Sequence, residues 1–321
     1  VSHLEQLKAA IKERLPELEM VIGWGQGFDA LHATPIFMKT PEDVDKLLWG
    51  PLNVHNTATY LTAYKGKKVG VVVKGCDSRS IIELLQEKLL NRDDVVVFAA
   101  PCSGVADLTR IKKSLEAKGL DMGRVKAVAV AGDTLTLSVA GQDVALSLKA
   151  VAADKCGRCQ YHNALVSDVF VGEPLQESAA DNYDDLAEFE KQSMDDRMAY
   201  WKKEMERCIR CYACRNACPM CVCRDHCIAQ SREPGWVSQR DDVSEKFFFQ
   251  MIHAMHLAGR CTECGECQRV CPVDIPLLLL KRKLNKEIKE LFDYQAGTKI
   301  DAKPPLLAFK VEEENINERG W

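Results

Sequence analysis

The sequence predicts an α/β domain built on a mainly parallel sheet, followed by an all-helical, cysteine-rich domain. Three observations carry this. Apolar runs at Lys68–Val73, Val95–Ala99 and Val125–Val130 alternate with helical patterns over Ser78–Leu90 and Val105–Lys118, and strand, loop and helix twice in succession imply parallel strands joined by crossover helices. The run C-x2-C-x2-C-x3-C-P occurs twice, as Cys208/Cys211/Cys214/Cys218-Pro219 and Cys261/Cys264/Cys267/Cys271-Pro272. Helical periodicity brackets the second copy, over Val243–Ala258 before it and from Pro276 onward after it.

Taken in order, Leu4, Leu7, Ile11 and Leu15 have helical spacing, and Pro16 marks the exit. Glu19–Ile22 is expected as a short strand running into Gly23-Trp24-Gly25-Gln26-Gly27. Gly23, Gly25 and Gly27 suit either the approach of a backbone to a phosphate, such as that of a flavin, or an ordinary turn. Pro41–Trp49 reads as a helix with Thr40 as N-cap. Thr134–Ala140 and Asp143–Lys149, separated by Gly141-Gln142, read as a hairpin appended to the parallel sheet.

Composition turns polar and acidic over Val171–Asp185, which marks the boundary. Leu186–Arg207 is expected as one long helix with Met194, Met198, Trp201 and Met205 in an apolar stripe. Phe248, Met251, Ile252 and Met255 are the expected inner face of the next helix, and Leu280, Leu284, Ile288 and Leu291 that of the helix after Pro276. The organisation is therefore 1–170 as the α/β domain and 171–200 as linker and start of the connecting helix. Residues 201–295 form the helical dicluster domain, and 296–321 an extended tail with its Glu312–Glu314 run.

The doubled motif is the run that holds cubane iron–sulfur clusters. Three thiolates spaced two residues apart cap three corners of one cube, and the fourth, on the following turn, points to the other cluster. Cluster one is thus assigned to Cys208, Cys211, Cys214 and Cys271, and cluster two to Cys261, Cys264, Cys267 and Cys218. Zinc binding and disulfides compete with this reading. Zinc sites normally use two separated cysteine pairs, and a reducing compartment disfavours disulfides.

Fifteen cysteines leave seven outside the motif. Cys76 and Cys102 follow the carboxyl ends of parallel strands, where open α/β sheets place ligands, and Cys156-Gly-Arg-Cys159 follows the hairpin. These four offer the ligands of a third cubane cluster, with Lys74, Arg79, Lys155 and Arg158 nearby to offset its charge. The competing reading makes Cys76 and Cys102 small buried hydrophobes and Cys156/Cys159 a redox pair or an isolated turn. Cys221, Cys223 and Cys227 stay unassigned. They suit a metal with help from His226, or a substitution of one of them for Cys218. His253 and His256 read as core or surface histidines.

A net charge of −4 argues against nucleic-acid binding. No run approaches the roughly 20 apolar residues of a membrane span, and no charged-then-apolar leader opens the chain, so a cytoplasmic location is expected. No nucleophile–base pair or paired carboxylates stand out, so no catalytic residue is assigned.

The segment His256-Leu-Ala-Gly-Arg-Cys-Thr-Glu-Cys-Gly-Glu-Cys with Cys271-Pro272 resembles the dicluster subunits of heterodisulfide-reductase-like and sulfhydrogenase-like complexes. Val-Lys-Gly-Cys76-Asp-Ser-Arg-Ser and Ala-Pro-Cys102-Ser-Gly resemble the β-subunit family of deazaflavin-dependent hydrogenases and dehydrogenases. The resemblance implies an electron-transfer subunit of an anaerobic multi-subunit oxidoreductase. It would relay single electrons through two or three [4Fe-4S] clusters, between a flavoprotein subunit and a hydrogenase, formate dehydrogenase or heterodisulfide-reductase-like module. The β-subunit family often carries FAD beside a cluster, which makes a FAD-bearing reductase of a nicotinamide or deazaflavin coenzyme the enzymatic alternative. A zinc-stabilised scaffold subunit is the structural one. The chain departs from the β-subunit family in placing its ferredoxin motifs at the C-terminal end.

Overall fold

The computed structural model describes residues 2–223, 227–229, 233, 235–238, 240–305 and 308. The expectations for His226 and for the Glu312–Glu314 run lie outside the described residues.

The N-terminal half is α/β. Helix α1 (His3–Arg14), capped by Ser2, leads to β1 (Val21–Gln26), β2 (Ala33–Met38) and the short α2 (Pro41–Val44) with its Thr40/Asp43 capping box. Then β3 (Val69–Val73) leads to α3 (Gly75–Gln86), and β4 (Val95–Ala99) to α4 (Leu108–Glu116). The main sheet has the order β2-β1-β3-β4-β8, where β8 is Val169–Phe170. β1 and β2 pair antiparallel, whereas β1/β3, β3/β4 and β4/β8 are parallel.

Both faces of this sheet are covered, which explains the near-continuous valines of β3 and β4. Val71, Val73, Val97 and Ala99 point to one buried cluster, and Val72, Val96 and Phe98 to another that holds Leu7 and Ile11 of α1. The period of two along each strand sorts the side chains between the layers.

One expected strand lies elsewhere. The run at Val125–Val130 is β5 (Val125–Ala131), which joins β6 (Thr134–Val139) and β7 (Gln142–Ser147) in a separate antiparallel sheet. The hairpin is therefore not appended to the parallel sheet. Lys126 and most of β5 are exposed, a pattern that a strand buried on both faces cannot carry.

The short helices α5 (Leu148–Val151) and α6 (Asp154–Gly157) return the chain to the main sheet. The expected single helix over Leu186–Arg207 is two, α7 (Asp184–Glu190) and α8 (Met194–Glu206), because the Ser193 side chain accepts the Asp196 N–H and starts a new helix. The remaining helices are α9 (Ala213–Asn216), α10 (Val243–Met255), α11 (Glu266–Arg269) and α12 (Leu277–Phe292). Among the described residues no helix is long and apolar enough to cross a membrane.

The expected inner faces of the long helices are also corrected. Met194 and Met198 of α8 are exposed, and only Trp201 and Met205 of that stripe are buried. On α10, Phe248 and Met255 are exposed, while Lys246, Phe249, Gln250, His253 and Ala254 are buried. On α12 the buried face is Leu277, Leu278, Lys281 and Arg282, and Leu291 is exposed. These inner faces are polar because the cysteine loops, not a purely apolar core, lie against them.

The two halves are joined by specific contacts. Met220, Leu257 and Cys261 pack into the same cluster as Ile22, Val71 and Val97 of the sheet. Arg260 pairs with Glu87, and the Arg79 guanidinium donates to the carbonyls of Thr262 (2.9 Å) and Ala296 (2.7 Å). The acidic linker folds back on α12, where buried Arg282 pairs with Asp181 (2.7 Å), Asp185 (2.6 Å) and Glu263.

Candidate iron–sulfur centres

The cysteines of the α/β half converge although they are far apart in sequence. Cys76 sits in the first turn of α3 after β3, and Cys102 follows β4. Cys156 lies in α6 and Cys159 just beyond it. All four line one pocket, together with Lys74, Arg79, Lys155 and Arg158. The reason is topological: parallel neighbouring strands deliver their carboxyl ends to the same edge.

Local packing then brings the loop of Cys159 against α3. Gly75 lies so close to the Tyr161 carbonyl that any Cβ there would overlap it. The Val105 N–H donates to Cys156 Sγ at 3.3 Å, the kind of backbone donor that stabilises a metal-bound thiolate. Burial pushes the Cys102 thiol up to about 11 and Cys76 well above the ordinary thiol range, so these sulfurs need a metal or cations to ionise. Lys74 is buried, pairs with Asp77 at 2.8 Å and donates to the His55 carbonyl at 2.9 Å. Lys155 donates to the carbonyl of Cys264, so its charge lies between this pocket and the second motif.

Thiols of both motif copies line one small space. A small pocket is lined by Cys208, Cys211 and Cys214 together with Cys271 of the other copy, under Phe249 and Gln250 of α10. Cys208 and Cys214 are buried and Cys211 is exposed. Gln250 Nε2 lies 3.7 Å from Cys214 Sγ and 4.0 Å from Cys208 Sγ. Backbone turns with positive φ at Arg210, Tyr212, Glu263 and Gly265 wrap the two chelating loops. The Ile275 N–H donates to Cys271 Sγ at 3.4 Å.

Cys261, Cys264 and Cys267 form the buried counterpart. Cys218 lies close enough to Cys264 and Cys267 for their charges to interact, and buried Lys281 senses Cys267, Cys218, Cys261 and Cys221 together. Burial disfavours the Lys281 ammonium, but these sulfurs raise its pKa overall. Burial likewise pushes Cys264 up to about 12.

The three cysteines left unassigned by the sequence separate here. Cys221 lies 3.2 Å from His253 Nε2, and its backbone N–H donates to the Cys218 carbonyl at 3.1 Å. Cys227 accepts from Arg215 Nε at 3.1 Å, and Cys223 is exposed.

All fifteen thiols are free of disulfides. Among the described residues, no three His, Cys, Asp or Glu side chains converge tightly enough to hold a lone metal ion. The thiols line pockets instead, and four sulfurs around a space suit a cubane cluster.

The glycine run does not form the expected loop. Gly23 and Gly25 are buried residues inside β1, and a Cβ on them would press on Leu47 and Ile36 respectively. Gly27 alone reaches the large cavity beside the strand. That cavity, about 890 Å³, runs between the strand-end pocket and the second motif. Its lining includes His32, Arg110, Lys113, Lys155 and Arg269, with Phe28 stacked on His32 at 4.2 Å and 85% exposed.

The polar residues facing the thiols, Gln250, His253 and Lys281, were not singled out as functional by the sequence pattern. The signal was present: Lys246, Gln250 and His253 recur at helical spacing within an otherwise apolar segment, and Lys281 lies at the same spacing from Leu277 and Leu278.

Residues 66–186 match the family described as the C-terminal part of the coenzyme F420 hydrogenase/dehydrogenase beta subunit, and residues 204–275 match the 4Fe-4S dicluster domain. The first match falls in the α/β half and the second in the helical half. The chain is an iron–sulfur, electron-transfer oxidoreductase protein.

Among its relatives is the F420-dependent formate dehydrogenase subunit beta of Methanocaldococcus jannaschii, 23% identical, with 91% of this chain and 90% of the relative covered. The F420-dependent formate dehydrogenase 1 subunit beta of Methanococcus maripaludis is 22% identical, covering 89% and 88% respectively. A chain of the F420-reducing [NiFe] hydrogenase complex from Methanosarcina barkeri aligns with a TM-score of 0.39 at 18% identity, covering 48% of this chain and 58% of that one.

Proposed function

We propose that this chain is the wiring subunit of a multi-subunit oxidoreductase and passes single electrons along three [4Fe-4S] clusters. In order along the path, these would be held by Cys76/Cys102/Cys156/Cys159, then Cys261/Cys264/Cys267/Cys218, then Cys208/Cys211/Cys214/Cys271. The observation that carries it is adjacency. Thr262 and Glu263 of the second motif line the strand-end pocket, and Cys267 of the second site packs in one buried cluster with Cys208 and Cys214 of the first.

A cubane cluster supplies one-electron redox chemistry when bound. The residues of this chain do the rest. The thiols and the N–H groups of Val105 and Ile275 hold it, Gln250 offers an amide to two of the sulfurs, and Lys74, Lys155 and Lys281 offset negative charge in enclosed surroundings. The exposed Cys211 edge gives the terminal cluster an outlet to a partner. The relatives are named as subunits of F420-dependent formate dehydrogenases, which supports a formate dehydrogenase module at one end; a flavoprotein at the other end is part of the proposal.

The cavity of about 890 Å³ favours a second reading in which this chain itself seats a flavin. Its volume is that of a ligand pocket of about 300–1,000 Å³, its Arg110, Lys113 and Arg269 suit phosphates, and it adjoins Lys155 of the strand-end pocket.

Anaerobically purified protein should contain about twelve irons and as much acid-labile sulfide per chain, and acid extraction shows whether FAD is released. Near-stoichiometric zinc without iron would overturn both readings in favour of a scaffold. Cys271→Ser should cost about four irons and remove the paramagnetic signal of the cluster on Cys208, Cys211 and Cys214. Loss confined to another cluster would refute the crossed ligand set.

A further inference from the structure

A buried cation needs an anion, and Arg79 pairs with no carboxylate among the described residues. It is 6% exposed on α3, three residues after Cys76 and so on the same face of the helix. Its Nη1 donates to the Thr262 carbonyl at 2.9 Å and its Nη2 to the Ala296 carbonyl at 2.7 Å. The guanidinium carbon lies 4.6 Å from the centre of the Tyr161 ring. These partners are dipoles and a ring face. The Arg79 Nε is buried and has no hydrogen-bond partner among the described residues.

The neighbouring carboxylates are committed elsewhere. Asp77 pairs with Lys74, and Asp181 and Glu263, which line the same pocket as Arg79, are held by Arg282. A guanidinium keeps its charge, and burying it unmatched is unfavourable. The pocket that Arg79 lines with Cys76, Cys102, Cys156 and Cys159 is the place where a negative group would match it. A cubane cluster on four thiolates is such a group. The same guanidinium also grips the second motif, because Thr262 is the residue after Cys261. Ser80 Oγ, 3.0 Å from Thr262 Oγ1, fastens that loop to α3 a second time.

We infer that Arg79 is a positioning residue shared by two centres, a single positive charge clasped to the second motif that raises the reduction potential of both the strand-end cluster and the second cluster. The inference rests on the cluster reading above. A cation in enclosed surroundings stabilises the more negative, reduced state of a nearby cluster.

The test is a redox titration of the full-length, anaerobically purified protein followed by paramagnetic resonance, with iron content measured on the same samples. Signals are assigned by their loss in Cys76→Ala, Cys264→Ala and Cys271→Ala. A parent protein without iron would defeat the cluster reading and this inference with it. On an iron-loaded parent the outcomes bear on Arg79 alone.

Arg79→Gln, which keeps an amide donor but no charge, should move the midpoints of the strand-end and second clusters to more negative potentials. That of the cluster on Cys208, Cys211, Cys214 and Cys271 should stay in place. Arg79→Lys should return most of both shifts. Loss of about four irons in the glutamine variant, with the lysine variant keeping the parent's iron and potentials, would equally support the charge. Equal behaviour of the two variants, in potential or in iron loss, would overturn the assignment, since a lost clasp does not distinguish a cation from an amide. So would iron loss in the lysine variant, unchanged potentials in the glutamine variant, or a shift confined to one of the two clusters.

Discussion

The two halves of this molecule bring cysteines together in opposite ways. In the α/β half the thiols come from Cys76, Cys102, Cys156 and Cys159, and a sheet with two apolar layers carries them to one edge. There the fold stands first and the site follows. In the helical half the thiols lie in two compact loops, and the buried cluster around them consists of Trp201, Met205, Phe249, Ile275 and Leu277 together with Cys208, Cys214 and Cys267 themselves. There the thiols are part of the core, so the metal and the fold depend on each other.

The sharpest way to break that contrast is to remove the iron. Chelation under anaerobic, reducing conditions should cost residues 204–275 most of their amide exchange protection, because binding free energy is folding free energy where cysteines are the core. Strands β3 and β4 should stay protected. Exchange followed by mass spectrometry checks this, and uniform loss or uniform retention would erase the distinction between the halves.

A smaller effect is expected at the clasp between the linker and α12. Arg282→Ala leaves Asp181, Asp185 and Glu263 without their shared cation. Removing one member of a buried ion pair costs roughly 3–5 kcal/mol. The carboxylates retain partial access to water, so about 3 kcal/mol is expected, read as a lower denaturant midpoint. An unchanged midpoint would show that the linker contributes nothing to holding α12.

The smallest effect concerns Glu83 of α3, which is fully buried and accepts from the Gly297 N–H at 3.0 Å and the Tyr294 hydroxyl at 3.3 Å. Burial, with the nearby Glu87 charge, raises its pKa from 4.5 to about 8. The unfolded chain therefore releases this proton at lower pH than the folded one, and stability contributed by the neutral carboxyl falls as pH rises between these values. Glu83→Gln should flatten that fall, read as a shallower dependence of the denaturant midpoint on pH between these values. Parallel stability–pH curves for the two proteins would show that Glu83 is ionised in the fold.

Legibility differed between the halves for physical reasons. The motif cysteines are readable because a cube imposes fixed local spacing, and β3 and β4 because strands covered on both faces must be apolar throughout. The placement of β5 was not readable, since a short valine–alanine run serves either kind of sheet until its exposed face is known. The inner faces of α10 and α12 escape the sequence pattern because apolar periodicity finds the side that avoids water. These helices turn Gln250, His253, Lys281 and Arg282 inward, toward sulfur and carboxylate. The glycines of β1 were ambiguous for the opposite reason: close packing against Leu47 and Ile36 demands the same residue as a phosphate loop.

The contact between Gly75 and the Tyr161 carbonyl has a consequence for anyone wishing to transplant the strand-end thiol quartet into another scaffold. Copying the four sulfur positions would not suffice. The recipient must also let two stretches of main chain touch with no methyl between them, because that bare spot sets how far the Cys159 loop stands from the Cys76 turn.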